Sequence, residues 1–301
     1  GLISVSTYYM GAGLITAFGI KWMTDGIVAG DVEQLTRAAL FYFAALFTIT
    51  LILPFIWFLF YRGTNELRRQ LLYSLYAKVY KLPVSYIERN HSGDLISRLT
   101  NDVETASKAW GWQAKMLFQS TLSGAGSLVA IFFLDWRYGT IAVSLGIAIV
   151  VVNTLMAKPM RRIGKKVQEV LSILTQRFTD VIAGREIVKI FGLRKRLLDI
   201  FMDTNREAYR LTMKQAVYGS MLQGFGNFVS MFSFAGIFGI GSILIIGGTS
   251  ELGTLLAVVN LLGGVLWLFR GFGNYVTNIQ RSLAGADRIF EILDYPAEHA
   301  G

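Results

Sequence analysis

Long stretches without any charged residue alternate with strongly basic segments along this chain. Six stretches contain no Asp, Glu, Lys or Arg: residues 1–20, 38–61, 116–134, 138–157, 215–250 and 252–269. A helix needs about 17–25 mostly apolar residues to cross the hydrocarbon core of a bilayer, and each stretch reaches that length. The pattern therefore predicts an all-α polytopic membrane protein with six transmembrane helices, numbered TM1 to TM6.

The predicted helices continue past the apolar stretches wherever the spacing of apolar residues stays helical. Their expected bounds are residues 1–24 for TM1, 36–82 for TM2, 101–134 for TM3, 138–190 for TM4, 195–247 for TM5 and 252–293 for TM6. TM2 and the helices after TM4 and before TM5 thus project far into water, where they need a partner to hold them. Residues 1–295 form the membrane domain, and residues 296–301 are expected to begin a linker.

The composition agrees with a membrane protein. Hydrophobic residues make up 53% of the 301 positions and charged residues only 16%, whereas soluble domains carry about 25% charged residues. There is no cysteine, so disulfides and thiolate metal sites are excluded. His91 and His299 are too isolated to predict a metal site. The first stretch lacks the basic start and cleavage pattern of a signal peptide and is interpreted as a spanning helix whose natural N-terminal lead is missing.

The basic residues predict the orientation. Twenty-six of the 29 Lys and Arg residues fall in the segments after TM2, TM4 and TM6. Basic residues stay on the cytoplasmic side during insertion, so these segments are expected in the cytoplasm. The net charge of +9 is then a topology signal, and no nucleic-acid partner is predicted.

Two breaks interrupt the cytoplasmic helices. At the first, Pro83 ends the extension of TM2, Gly93 permits a sharp turn and Asp94 caps a very short helix. A capping box at Asn101 and Glu104 is then expected to start TM3.

At the second break, Gly184 and Gly192 bracket a short segment that presents Phe191, with basic residues behind it.

On these residues the sequence resembles the membrane domain of ATP-binding cassette (ABC) exporters, which include multidrug exporters, lipid flippases and peptide exporters. Residues 83–104 and 181–192 match the family's two intracellular loops, and residues 281–294 match its exit toward the ATPase domain. The resemblance implies a first coupling helix formed by Asp94, Leu95, Ile96, Ser97, Arg98 and Leu99. It implies a second formed by Phe191, Gly192, Leu193, Arg194 and Lys195.

The resemblance also implies partners. Each coupling helix would dock on a nucleotide-binding domain, and a second copy or a paralogous membrane domain would complete a domain-swapped dimer in the cell membrane, as in a bacterial inner membrane. No G-x-x-x-x-G-K-[ST] phosphate loop occurs in the chain. ATP and Mg are therefore expected on a nucleotide-binding domain, fused or separate, and this chain is not expected to be an enzyme by itself. A truncated exporter is the favoured interpretation.

Polar residues inside the spans are candidates for the substrate pathway. They are Lys115, Gln119, Gln223, Asn227, Asn260, Arg270 and Asn274. Lys115 and Arg270 fall near the cytoplasmic boundary, where a basic mouth would suit an anionic amphiphile. The alternative is that both side chains extend to lipid headgroups or pair with carboxylates. For the amides, hydrogen bonds between helices are the equally ordinary interpretation.

Two classes of function stay open on the sequence. The favoured one is the membrane domain of an ATP-driven exporter that moves an amphipathic drug, lipid or peptide outward by alternating access. The alternative is an ATP-independent channel or half of a secondary transporter. The uncharged spans hold none of the carboxylates that ion-coupled carriers place near the bilayer midplane. The long cytoplasmic segments also disfavour the alternative, because connections in compact bundles run about 2–8 residues.

Overall fold

The computed structural model describes residues 1–89 and 92–296, and the described part of the chain is built from helices without a β-strand. The α-helices are α1 (Leu2–Ala29), α2 (Val32–Val79), α3 (Val84–Arg89), α4 (Ser92–Ser97), α5 (Val103–Lys108), α6 (Ala114–Leu134), α7 (Trp136–Ala183), α8 (Arg185–Ile190), α9 (Arg194–Ile246) and α10 (Leu252–Leu293). Two π-helical turns, Arg98–Asp102 and Ala109–Gln113, flank α5. The predicted fold class is confirmed.

Six helical segments of the described chain are long and apolar enough to cross a bilayer. They are Leu2–Ala29, Val32–Val79, Gly93–Leu134, Trp136–Ala183, Arg194–Ile246 and Leu252–Gly271. They coincide with the six predicted spans, although several ends differ. The expected linker falls outside the described residues, apart from Pro296.

The helix α1 extends five residues beyond the predicted end of TM1, because the charged side chains near its end have partners. Lys21 Nζ lies 2.9 Å from Asp25 Oδ2, one turn later on the same helix, and it also pairs with Glu251. The helix then stops at Gly30, whose φ of 67° provides the left-handed C-cap that glycine adopts without strain. Asp31 caps α2 by accepting a hydrogen bond from the Gln34 amide at 2.9 Å.

The predicted start of TM3 is wrong. The chain is helical from Ser92 to Leu134 through α4, α5, α6 and the two π-helical turns, so TM3 has no separate beginning at residue 101. Glu104 does not close a capping box, because it pairs with Lys108 at 3.0 Å. The one non-helical residue in this stretch is Gly111, with φ −89° and ψ −111°.

The chain divides into two compact units. The first comprises Gly1–Gly146 and the chain from Ser233 onward. Its core is the packing of α6 against α1 and α10. Glycines permit close approach of these helices: a Cβ added at Gly124 would lie 2.4 Å from Cβ of Leu268.

The second unit, Ile147–Phe232, is an antiparallel pair formed by the later part of α7 and the earlier part of α9, joined through α8. Arg177 on α7 donates to the Ile200 carbonyl at 3.2 Å and to Thr204 Oγ1. The rings of Phe178 and Phe201 lie 6.4 Å apart. The prediction that TM4 continues to residue 190 is wrong, because α7 ends at Ala183 and Gly184 separates it from α8.

Candidate functional site

The first predicted coupling helix lies on a hydrophobic cluster at the cytoplasmic end of the first unit. Leu95, on α4, is buried in it together with residues from α2, α5 and α10. The other buried members are Leu75, Leu82, Val103, Ala106, Ile289 and Ile292. Leu99, half-buried, packs against the same cluster. Hydrophobic burial therefore fixes this predicted coupling segment to α2, α5 and α10 at once.

Ion pairs join the same elements around the edge of the cluster. Arg98 Nε lies 2.9 Å from Asp94 Oδ2, and its Nη1 lies 2.8 Å from Glu291 Oε2 on α10. Arg98 also donates to the Arg288 carbonyl at 3.2 Å. In return, Arg288 donates two hydrogen bonds to Asp102, at 2.9 and 2.6 Å. We call these five residues the cytoplasmic bracket.

The bracket ties the predicted coupling segment to the end of α10. Arg98 is only 14% exposed, and bidentate Arg–carboxylate pairs such as Arg288–Asp102 add directional rigidity to their attraction. The rings of Tyr86 and Tyr295, 4.5 Å apart, add a contact between the same two regions. A displacement applied to α4 would therefore reach TM6 through side chains as well as TM2 and TM3 through the backbone.

The opposite face of α4 is open. Ile96 is 60% exposed, and Asp94 is exposed despite its pair with Arg98, while Ser97 is half-buried. An apolar side chain beside a carboxylate on a short exposed helix is available to a docking partner. Of the first predicted coupling helix, residues 94–97 lie in α4, whereas Arg98 and Leu99 lie in the π-helical turn that follows it. The docking role of this segment stays a prediction.

The short helix at the second break lies a few residues earlier in the chain than predicted. Residues 191–193 form a turn and Arg194 and Lys195 begin α9, whereas the short helix is α8, just before them. Gly192 has φ 63°, and the Leu193 amide donates to the Val188 carbonyl at 3.1 Å, which closes the end of α8. The predicted docking residue Phe191 comes directly after the last residue of α8 and is 71% exposed. Its docking role stays a prediction.

Two of the predicted pathway residues, Lys115 and Gln119, are buried on one face of α6. The Lys115 ammonium lies over three aromatic rings: its Nζ is 4.5 Å from the ring centroid of Trp112, 4.8 Å from that of Trp57 and 5.4 Å from that of Tyr9. Such distances fall within the range of cation–π attraction. Gln119 Oε1 has no hydrogen-bond partner among the described residues.

The remaining pathway candidates lie on the two long helices near the C-terminal end. Gln223 and Asn227 are exposed on α9 in the second unit. One face of α10 carries Asn260, Arg270 and Asn274. Asn260 and Asn274 are 14 residues apart, which is close to four helical turns, and Arg270 precedes Asn274 by four residues. Asn260 and Asn274 are exposed there and Arg270 is half-buried.

A polar clasp closes the outer end of the first unit. Lys21 lies 2.6 Å from Glu251 in the connection between α9 and α10, in addition to its pair with Asp25. The hydrogen bond from Lys21 holds the pKa of the Glu251 carboxyl below its usual value. Arg137 donates to Thr249 Oγ1 at 3.1 Å. The clasp joins α1 to the start of TM6 outside the apolar spans.

Sequence reasoning missed the aromatic partners of Lys115 and the pairing within the bracket. Trp112 precedes Lys115 by three residues, a spacing that allows a contact on one helix face. Asp102 and Arg288 are 186 residues apart, and no local periodicity links residues at such a separation.

The described part of the chain thus has six helical segments that are long and apolar enough to span a bilayer. A family model described as the ABC transporter transmembrane region matches residues 5–269. The chain belongs to this family. It is a multi-pass membrane domain.

Curated relatives of the chain include lipid flippases and a multidrug-type protein. The "ATP-dependent lipid A-core flippase" of Shewanella frigidimarina is 27% identical over 72% of the chain and 36% of the relative. The protein of the same name from Pseudomonas aeruginosa is 28% identical over 75% of the chain and 37% of the relative. The "Multidrug resistance-like ATP-binding protein MdlB" of Buchnera aphidicola is 26% identical over 77% of the chain and 40% of the relative. The chain thus spans roughly two fifths or less of the length of these relatives.

Proposed function

We propose that this domain moves an amphipathic substrate outward across the membrane, driven by ATP hydrolysis on a nucleotide-binding domain. The observation that carries the proposal is the cytoplasmic bracket, because it joins a docking segment to the last transmembrane helix. Force applied to the open face of α4 would pass through Arg98 and Glu291 to α10, and through Leu95 into the cluster. ATP and Mg act on the nucleotide-binding domain, which is fused to this chain or separate from it.

We further propose that the second unit is covered by a second copy or a paralogous membrane domain, and that its tip docks on a nucleotide-binding domain. Large apolar side chains of this unit are exposed in the single chain. Examples beyond the apolar spans are Phe178, Ile182, Ile187, Ile190 and Phe191. Exposed apolar patches of this extent on cytoplasmic segments are typical of protein interfaces.

The buried face of α6 and the names of the relatives support a proposal for the substrate class. Several relatives are named lipid A-core flippases, and one is a multidrug resistance-like protein. Lys115 on α6 and Arg270 on α10 place positive charge within otherwise uncharged spans. We propose an amphiphile with an acidic headgroup, taken from the cytoplasm or the inner leaflet.

The direct test is reconstitution of the complete transporter, this domain together with its nucleotide-binding domain, into liposomes. Outward movement of a fluorescent acidic phospholipid is measured with ATP, with a non-hydrolysable analogue, and with ionophores that remove proton and sodium gradients. The proposal expects movement that requires hydrolysable ATP and ignores the ionophores. Movement that persists without ATP and stops with the ionophores would instead identify a secondary transporter.

The acidic-headgroup part of the proposal has its own test. Lys115→Glu and Arg270→Glu should reduce transport of an acidic phospholipid more than transport of a zwitterionic one. A matched control is Arg137→Glu, which reverses a charge outside the spans. Equal effects of all three variants on both lipids would remove the support for acidic-headgroup recognition.

A further inference from the structure

Lys115 is a charged residue buried without a counter-charge. Its side chain is 3% exposed, and among residues 1–89 and 92–296 it forms no ion pair with a carboxylate. A buried ammonium normally requires a paired anion, since the loss of hydration is costly. The contacts that replace the missing partner are the faces of Tyr9, Trp57 and Trp112.

These three rings come from three separate segments. Tyr9 lies on α1, Trp57 on α2, and Trp112 in the π-helical turn before α6. Three aromatic faces converging on one cation form the kind of cage with which proteins bind quaternary ammonium groups. In this protein the cage already holds a cation, and that cation is covalently attached to α6.

The geometry differs from the one expected of a lysine that extends to lipid headgroups. Such a side chain covers apolar surface with its stem and leaves its ammonium in water. Lys115 instead buries its ammonium among rings. Further along the same face of α6, Gln119 Oε1 and Ser123 Oγ are also buried, and neither has a hydrogen-bond partner among the described residues. Beyond the cage, this face of α6 therefore carries two buried polar atoms without a hydrogen-bond partner in the described part of the chain.

We infer that Lys115 is a specificity-determining residue whose ammonium occupies an aromatic cage and thereby excludes organic cations from this face of α6. A free organic cation can enter the cage only by displacing the Lys115 ammonium, and the positive charge of the displaced ammonium still repels it. Neutral and anionic headgroups do not compete for the rings. The consequence for transport rests on the proposed function, whereas occupation of the cage is a property of the chain alone.

The test measures binding of tetramethylammonium to the complete polypeptide in nanodiscs, by saturation-transfer NMR. This cation is about the size of the side chain that Lys115→Ala removes, and it is a ligand suited to aromatic cages. Lys115→Ala should bind it at least about tenfold more tightly than the wild type. Lys115→Met, which removes the charge but refills the cage, should bind it no better than the wild type. The double variant Lys115→Ala/Trp112→Ala should lose the gained binding.

Because the readout is a gain of binding, misfolding cannot imitate the expected result. A second measurement covers the case in which Lys115→Ala does not fold: the Lys115 Cε protons of the ¹³C-lysine-labelled wild type should be shifted upfield by the rings, and Trp112→Leu should reduce the shift. Equal binding of tetramethylammonium by the wild type and a folded Lys115→Ala variant, or an unshifted Lys115 resonance, would overturn the inference. Neither measurement uses ATP or transport, so failure of the proposed export would leave both results interpretable.

Discussion

Single side chains at the cytoplasmic end of the first unit connect elements that are distant in sequence. Asp102 is buried in the π-helical turn before α5 and accepts both hydrogen bonds of the Arg288 guanidinium. Removal of either partner leaves the other without its counter-charge, and the cost is larger for the buried carboxylate than for the half-exposed guanidinium.

We expect Arg288→Gln to destabilise the domain by about 1–2 kcal/mol, because Asp102 then stays buried without its partner. Asp102→Asn/Arg288→Gln should be less destabilised than the sum of the two single variants predicts. Thermal unfolding midpoints of the four proteins in one detergent give the comparison. Strict additivity of the two effects would show that the pair contributes nothing.

Phe191 is a second single residue with a proposed role, and its ring is exposed in the single chain. Phe191→Ala should leave the thermal unfolding midpoint of the isolated domain unchanged, because the ring is mostly exposed there. It should nevertheless weaken ATP-dependent transport in the complete protein, where we propose that the ring docks. Tyr73→Ala, at an equally exposed aromatic on the extension of α2, is the matched control. Equal transport by both variants would remove Phe191 from the docking surface.

Close packing of helices is the main feature at the scale of elements. Gly124 lies where α6 meets α10, and an added Cβ would collide with the fixed Cβ of Leu268 at 2.4 Å. Gly263 on α10 faces open space, with no atom within 4 Å of an added Cβ. Gly124→Ala should therefore destabilise the domain by about 1–3 kcal/mol. Gly263→Ala should change stability by less than about 0.5 kcal/mol. Thermal unfolding of both variants checks the contact, and equal midpoints would contradict it.

The outer clasp predicts a dependence on pH. The pKa of Glu251 is lowered from its usual value of 4.5 by the hydrogen bond from Lys21. Because the folded-state pKa lies below the unfolded-state pKa, the pair stabilises the fold above about pH 4.5 and stops doing so as the pH falls through the folded-state value. The difference in unfolding midpoint between wild type and Glu251→Gln should therefore be positive at pH 7 and shrink on acidification. A difference that is constant between pH 7 and pH 3 would contradict this account.

The sequence predicted elements better than contacts. The spans were predictable because twenty uncharged apolar residues have few soluble alternatives, and the break at Pro83 was predictable because proline cannot donate a backbone hydrogen bond. The start of TM3 was not, because Asn101 and Glu104 satisfy both a capping box and a helix interior. The bracket and the cage were not predictable because their members come from distant helices, and only packing brings them together.

At the scale of the whole molecule, the bracket predicts that α4 and the end of α10 move as one body. This chain has no cysteine, so spin labels at Ile96→Cys and Phe290→Cys, both exposed in the single chain, need no background substitutions within it. The distance distribution between the two labels should be narrow and the same with and without trapped nucleotide in the complete transporter. A change of several ångströms on nucleotide binding would show that the bracket opens during the cycle.

The central claim is that the bracket couples ATP hydrolysis to movement of substrate. Its most direct test is the amount of lipid moved per ATP hydrolysed by the complete transporter in liposomes, compared between Arg98→Ala and the wild type. The control is Arg69→Ala, which removes an arginine from an exposed pair on the extension of α2. We predict that Arg98→Ala retains ATP hydrolysis but moves several-fold less lipid per ATP, while Arg69→Ala behaves as the wild type. An unchanged ratio for Arg98→Ala would contradict the account.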